Sequence, residues 1–155
     1  MPLGITTCSK QIEIPFHSAE PYKTFFHGHS YTANPIACAA ANASFELLIH
    51  PSCRQSIERI ESQHRDFASK IRTHRSVKEV RTLGTILAVE ILTAESTSYF
   101  NNLKKILYSF FLERNILIRP LGNVIYILPP YVITEKELQQ IYDAVEECMD
   151  YLASR

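Results

Sequence analysis

The 155-residue sequence has no excess of charge: sixteen Lys and Arg balance sixteen Asp and Glu, with neither a basic block nor an acidic tail. Nothing in that balance recruits nucleic acid or an anionic lipid surface, so neither partner is expected. No apolar run approaches the roughly 18 residues that span a bilayer, and no secretory leader is seen. Cys8, Cys38, Cys53 and Cys148 form no CxxC or CxH spacing, and reduced thiols in a cytoplasm are the expected state. Walker loops, GxGxxG fingerprints, a Ser-His-Asp order and internal repeats are all absent.

What remains is a chain of 46% apolar and 10% aromatic residues, enough for one domain with a core. Met1-Pro2-Leu3-Gly4-Ile5 runs straight into strand-like and loop-like sequence, as an entry into the middle of a longer fold would. Residues 1–33 carry Pro2, Pro15, Pro21, Gly4 and Gly28 without a long apolar period; a short strand and an irregular connection are expected. Asn34-Pro35 then opens a helix whose small residues, Ala37, Ala40, Ala41 and Ser44, suggest close packing on another backbone. Ile57, Ile60, His64, Phe67 and Ile71 recur at helical intervals, predicting an amphipathic helix to about Thr73.

Strands are expected at Val77–Val80 and Ile86–Ile91 around Leu83-Gly84-Thr85, and a helix over Ser98–Asn115 with Tyr99, Phe100, Tyr108, Phe110 and Phe111 in the core. Two further strands, Ile116–Arg119 and Val124–Leu128, flank the turn Pro120-Leu121-Gly122-Asn123. Thr134-Glu135-Lys136-Glu137 is a capping-box signature for a last helix whose stripe is Leu138, Ile141, Tyr142, Val145, Met149 and Leu152. Glu146-Glu147 reads as a solvated face. The architecture expected is a short sheet covered by helices.

Two constellations could carry chemistry. His27-Gly28-His29-Ser30-Tyr31-Thr32 precedes the helix at Asn34-Pro35, where free N–H groups and the positive helix end suit an anion, with Ser30 or Thr32 as hydroxyl donors. The competing explanation is that Thr32 or Asn34 only caps the helix. His27 and His29 form an HxH pair with no third ligand nearby, so local hydrogen bonding outweighs metal binding. Arg119, at the end of an apolar run and near Tyr126 and Tyr131, offers a planar fork that fits a carboxylate; the alternative is a surface arginine paired with a Glu.

The run Phe25-Phe26-His27-Gly28-His29-Ser30-Tyr31-Thr32-Ala33-Asn34-Pro35-Ile36-Ala37-Cys38-Ala39-Ala40-Ala41 resembles the segment of class III aminotransferases, fold type I pyridoxal-phosphate (PLP) enzymes, that bridges the two active sites of a homodimer. The stretch from Ile118 through Arg119-Pro120-Leu121-Gly122-Asn123 and Tyr126 to Tyr131 is similar to the biotin-pathway branch of that family. With Gly84-Thr85-Ile86-Leu87-Ala88-Val89-Glu90, the resemblance covers essentially the whole chain.

This resemblance implies an α/β fold: the C-terminal domain of a fold type I PLP transferase, α+β in its small domain. Residues 1–33 would be the end of the large cofactor domain, and 34–155 the long connecting helix and the small domain. The implied reaction is amino transfer from S-adenosylmethionine, through PLP, to 8-amino-7-oxononanoate. Ser30 matches a hydroxyl that binds the PLP phosphate of the neighbouring subunit. Gly28 matches a glycine lining the substrate pocket, Arg119 the arginine that pairs with the substrate carboxylate, and Tyr126 a tyrosine near the same pocket.

The departure from the family pattern is the Schiff-base lysine, whose place falls a few residues before Met1-Pro2-Leu3; Lys10 does not match it. The 155 residues alone are therefore expected to be inactive. Another class III ω-amino acid transaminase remains an alternative, as does a non-catalytic remnant or a half that complements an N-terminal partner.

Overall fold

A computed structural model of the chain describes residues 3–154, which form two compact units meeting in sequence at His50–Pro51. The expectations for Met1 and Pro2 lie outside the described residues.

The first unit carries little regular structure. A single helical turn, α1 (Lys10–Glu13), runs into 3-10 turns at Ile14–Phe16 and Pro21–Lys23. The short strand expected here does not form among the described residues. Pro15 is the second residue of the first 3-10 turn and Pro21 the first of the other, positions where the missing N–H costs nothing. Helix α2 (Pro35–Ile49) starts as expected: Asn34 Oδ1 accepts from the N–H groups of Ile36 and Ala37, both at 3.1 Å. Its Ala-rich face is mostly exposed, with only Ala37 buried, and Phe45, Leu47, Leu48 and Ile49 are uncovered too.

The second unit has a real core. Helix α3 (Pro51–Ile71) buries Ile60, His64, Phe67, Ala68 and Ile71, the stripe anticipated from sequence. Strands β1 (Val77–Leu83), β2 (Ile86–Ile91) and β3 (Val124–Ile127) form an antiparallel sheet in the order β1-β2-β3. The β1–β2 hairpin closes through Gly84-Thr85, with Gly84 at φ 53° and Leu83 opposite Ile86. Glycine supplies the positive φ that a tight hairpin turn needs at its first central position.

Alternation sends Leu87, Val89 and Ile91 of β2, with Ile125 and Ile127 of β3, into the core, where they meet α3, helix α4 (Leu103–Leu112) and helix α5 (Glu135–Ala153). Helix α5 carries the expected capping box: Thr134 Oγ1 accepts from Glu137 N–H at 3.2 Å, and Glu137 returns the bond to Thr134 N–H at 2.8 Å. Its stripe of Leu138, Tyr142, Val145 and Met149 is buried.

Three expectations are corrected. Ile116–Arg119 is not a strand: Asn115 ends the helix at φ 59°, Ile118 N–H bonds Ile116 O at 3.2 Å, and Pro120 has no N–H for a ladder. Helix α4 begins at Leu103, not Ser98, because Ser98, Asn101 and Asn102 engage their own loop. Consequently Tyr99, Phe100 and Tyr108 are exposed, and only Phe110 and Phe111 join the core. Glu146 and Glu147 are not merely solvated, since they pair with Lys70 and Arg114.

Two buried ionisable side chains of this unit, one in the core and one on the opposite face of the sheet, have shifted ionisation. His64 is fully buried; its Nε2 faces the Thr85 carbonyl at 3.1 Å and its Nδ1 the Tyr142 hydroxyl at 2.6 Å. A carbonyl only accepts, so Nε2 carries the proton and Nδ1 accepts from tyrosine. Burial pushes the His64 pKa below its ordinary value and raises that of Tyr142.

Glu90 is 5% exposed and points to the other face of the sheet. A bulge between Val77 and Glu79 turns Lys78 toward it, placing Nζ 2.7 Å from Glu90 Oε1. Thr97 Oγ1 donates to the same oxygen at 2.6 Å, and Arg81 Nη1 lies 3.1 Å from Oε2. Lys78 foremost, then Thr97, overcome the cost of burial, and with Arg81 they hold the carboxyl at about 2, against an ordinary 4.5.

Stability should therefore change in two windows. Glu90, depressed when folded, stabilises above pH 4.5, and that contribution, about 2 kcal/mol after allowing for solvent at the cation ends, is lost as pH falls toward 2. Urea titrations of Glu90→Gln should show a flatter pH dependence below 4.5. His64, also depressed, destabilises as pH falls below 6.5, and His64→Phe should remove that slope while lowering stability at pH 8 by leaving Thr85 O unsatisfied. Gly122 has φ 65°, and a Cβ there would stand 1.7 Å from Ser98 O. Gly122→Ala should therefore lower the unfolding free energy by about 2 kcal/mol or more in the same assay.

Candidate functional site

The candidate residues fall on both units. In the first, Ser30 opens a turn that runs to Ala33, ahead of α2. His29 N–H donates to Thr32 Oγ1 at 3.0 Å, Tyr31 N–H to His29 Nδ1 at 3.1 Å, and Thr32 N–H to His29 O at 2.9 Å. Thr32 Oγ1 and His29 Nδ1 thus accept bonds within the turn, while Asn34 takes the cap. The hydroxyl and N–H of Ser30 make no hydrogen bond among the described residues and face solvent. Ala33 sits at φ 53°, a left-handed conformation that costs an alanine about 1 kcal/mol.

A Cβ built on Gly28 meets nothing within 4 Å, so no packing within the described residues requires glycine there. His27 and His29 gather no metal-binding set: no cluster of three ligating side chains occurs among the described residues. Local hydrogen bonding accounts for His29, as anticipated.

In the second unit, Tyr126 lies at the middle of β3, opposite Ala88, and points away from the core on the same face as Glu90. Arg119 lies in the extended segment before Pro120, exposed, and its guanidinium has no ion-pair or hydrogen-bond partner among the described residues. The alternative of a surface arginine neutralised by a Glu is therefore not what the structure displays.

Arg119 and Tyr126 stand together in the wall between two cavities. One, of about 640 Å³, is lined by the apolar Ile116, Leu128, Pro129 and Val132 and by the polar Asn115, Glu137 and Gln140. The other, of about 740 Å³, opens between α4 and β3, with Tyr99, Lys104 and Tyr108 on its far side. Lys104 Nζ sits 3.5 Å from the centroid of the Tyr99 ring, and the Lys104 ammonium, reinforced by Arg119, lowers the Tyr99 pKa.

A cavity with aliphatic walls on one side and a cationic cavity on the other, sharing one free guanidinium, can hold a molecule with an aliphatic part and an acidic end. Tyr99 and Lys104 escaped the sequence reading because the run over Ser98–Asn115 looked like core helix. Their signal was three cations, Lys104, Lys105 and Arg119, without an acid in the segments that meet there.

Residues 1–149 match the aminotransferase class-III family. The chain is 39% identical over 150 residues to the adenosylmethionine-8-amino-7-oxononanoate aminotransferase of Synechococcus elongatus, covering 97% of this chain and 35% of that protein. It is 32% identical to the enzyme of the same name from Buchnera aphidicola, covering 96% and 32% respectively. The chain thus spans about a third of the length of these relatives.

The crystal structure of the Methanocaldococcus jannaschii enzyme of that name superposes with TM-score 0.74 at 30% identity, over 83% of this chain and 30% of that one. A Bacillus anthracis aminotransferase shares the fold, with TM-score 0.78 over 92% of this chain. Its identity of 20% supports the fold alone. By its sequence over nearly its whole length, and by a fold shared with solved aminotransferases, the chain belongs to the class-III aminotransferase family.

Proposed function

We propose that this chain is the C-terminal portion of a PLP-dependent transaminase that converts 8-amino-7-oxononanoate to 7,8-diaminononanoate, with S-adenosylmethionine as amino donor. The observation that carries the reading is the Arg119 guanidinium, unpaired among the described residues, between a cavity with aliphatic walls and a cationic one, in a chain similar throughout to enzymes bearing that name. The keto substrate has the matching form, an aliphatic chain ending in a carboxylate.

In this reading Arg119 takes the carboxylate in its fork and Tyr126 flanks it. The Ser30 hydroxyl and N–H, free of bonds among the described residues and just ahead of α2, suit a phosphate oxygen. They would hold the cofactor phosphate of the neighbouring subunit in a homodimer, with Gly28 leaving room for the ligand beside it. PLP, when bound, supplies the electron sink for amino transfer. Residues 1–33 then belong to the cofactor domain, and 34–155 to the connecting helix and small domain. The uncovered Phe45, Leu47, Leu48 and Ile49 of α2 support burial in an assembly, with a second subunit or an N-terminal partner. A cytoplasmic enzyme is consistent with four free cysteines and with no described helix being long and apolar enough to cross a membrane.

Two measurements test this. In an assembled enzyme supplying the remaining two-thirds or so of the relatives' length, Arg119→Ala should raise KM for the keto substrate about 10- to 100-fold, with PLP binding unchanged. An unaltered KM removes Arg119 from the pocket. For the 155-residue polypeptide alone, borohydride reduction with PLP should give no stoichiometric lysyl adduct and no turnover, because no lysine matches the family's Schiff-base position. An adduct accompanied by turnover would assign that role to a lysine of this chain.

A further inference from the structure

The cavity between α4 and β3 has an electrostatic character that the assignment of Arg119 leaves unexplained. Lys104, Lys105 and Arg119 all line it, and no carboxylate does. Lys104 is the distinctive member. It is half-buried, it has no ion-pair partner among the described residues, and its ammonium rests on the face of the Tyr99 ring.

A ring face compensates an ammonium only weakly compared with a carboxylate, so the lysine keeps most of its attraction for an anion. Nor is the position explained by packing. Lys104 projects from the first turn of α4, where a cation is unfavourable to the helix dipole, and the core beneath is completed by Leu107, Phe110 and Phe111 without it. Tyr99 is itself held by its loop: Asn101 caps the next turn through Leu103 N–H at 3.0 Å and bonds back to Ser96 O at 3.3 Å. The ring and the ammonium above it line the same cavity as Arg119.

We propose that Lys104 is a second substrate-binding cation, which together with Arg119 takes one carboxylate in this cavity, while Tyr99 holds the ammonium in place. The inference rests on the reading that Arg119 meets a carboxylate. A fork and a point charge differ in what they contribute: the guanidinium sets the orientation of the carboxylate plane, and the ammonium adds attraction without a directional demand. Lys105, on the same turn, is exposed and also borders a neighbouring groove with Glu113; Lys10, an exposed cation of α1 that does not line this cavity, serves as the control.

The test is the binding of octanoate to the whole 155-residue chain by calorimetry, with octanol as the probe lacking a charge. The chain should bind octanoate more tightly than octanol. Lys104→Gln should weaken octanoate about tenfold, Lys104→Arg should restore most of it, and Lys10→Gln should leave it unchanged, all three with thermal midpoints close to the parent. If Arg119→Gln weakens octanoate while Lys104→Gln does not, the inference about Lys104 is overturned and the reading of Arg119 stands. Failure of both variants to weaken binding, or absence of octanoate binding by the parent chain, overturns both.

Discussion

The buried carboxylate of Glu90 is the constraint on which the geometry of the second unit turns. Its side chain leaves the sheet on the face opposite the core, and a carboxylate buried there is tolerable only if its partners are fixed around it. Each partner comes from a different place: Lys78 from a bulge, Arg81 from the facing strand, and Thr97 from the loop after β2. Glu79 lies directly across from Glu90, a pairing of like charges that Arg81 resolves by bonding both. The need to satisfy one carboxylate thus ties the loop after β2 to the sheet.

That tie propagates to the candidate site. With Thr97 anchored, Ser98 O comes against Gly122, leaving no room for a Cβ. Next to it, Asn123 is fully buried, exchanging backbone and side-chain bonds with Ile91 at 2.9 Å each. The turn between Pro120 and Val124 is therefore held from both sides, and it fixes where Arg119 leaves it and where Tyr126 follows. Neither of those two residues is positioned by a hydrogen bond of its own. Their placement follows from backbone held at Gly122 and Asn123 and, for Tyr126, from the pairing of β3 with β2, which leaves both side chains free to meet a ligand.

The elements legible in the sequence were those decided by local signals. Asn34-Pro35 and Thr134–Glu137 specify helix starts through side chains that bond only a few residues away, and the stripes of α3 and α5 follow the helical period. Both strands of the hairpin were visible from apolar alternation and Gly84. The misreadings arose where a local pattern was overruled from outside. Ile116–Arg119 has strand-like composition, but a left-handed Asn115 and Pro120 deny it a ladder. Tyr99 and Phe100 have core-like composition, but the asparagines and serines around them bond the loop first. The Glu90 partners span 12 residues or fewer on one side and 7 on the other, yet no periodicity marks a carboxylate that the bulge, the facing strand and a loop all meet.

For the site, chemistry was legible where geometry was not. Arg119 and Ser30 could be named because a guanidinium and a hydroxyl have few uses beside a turn and a helix start, and because their surroundings resembled a family. What the sequence could not convey is that both remain unspent within the described residues. Arg119 has no acid, and Ser30 no acceptor, although the side-chain oxygens of Thr32 and Asn34 nearby already accept local N–H bonds. Partners for polar side chains are settled by the fold, through distances that depend on Glu90, Gly122 and the α2 cap. A site is what is left over once those demands are met, and the same reasoning separates Lys104, resting on a ring, from Lys70 and Lys78, each already bound to a carboxylate.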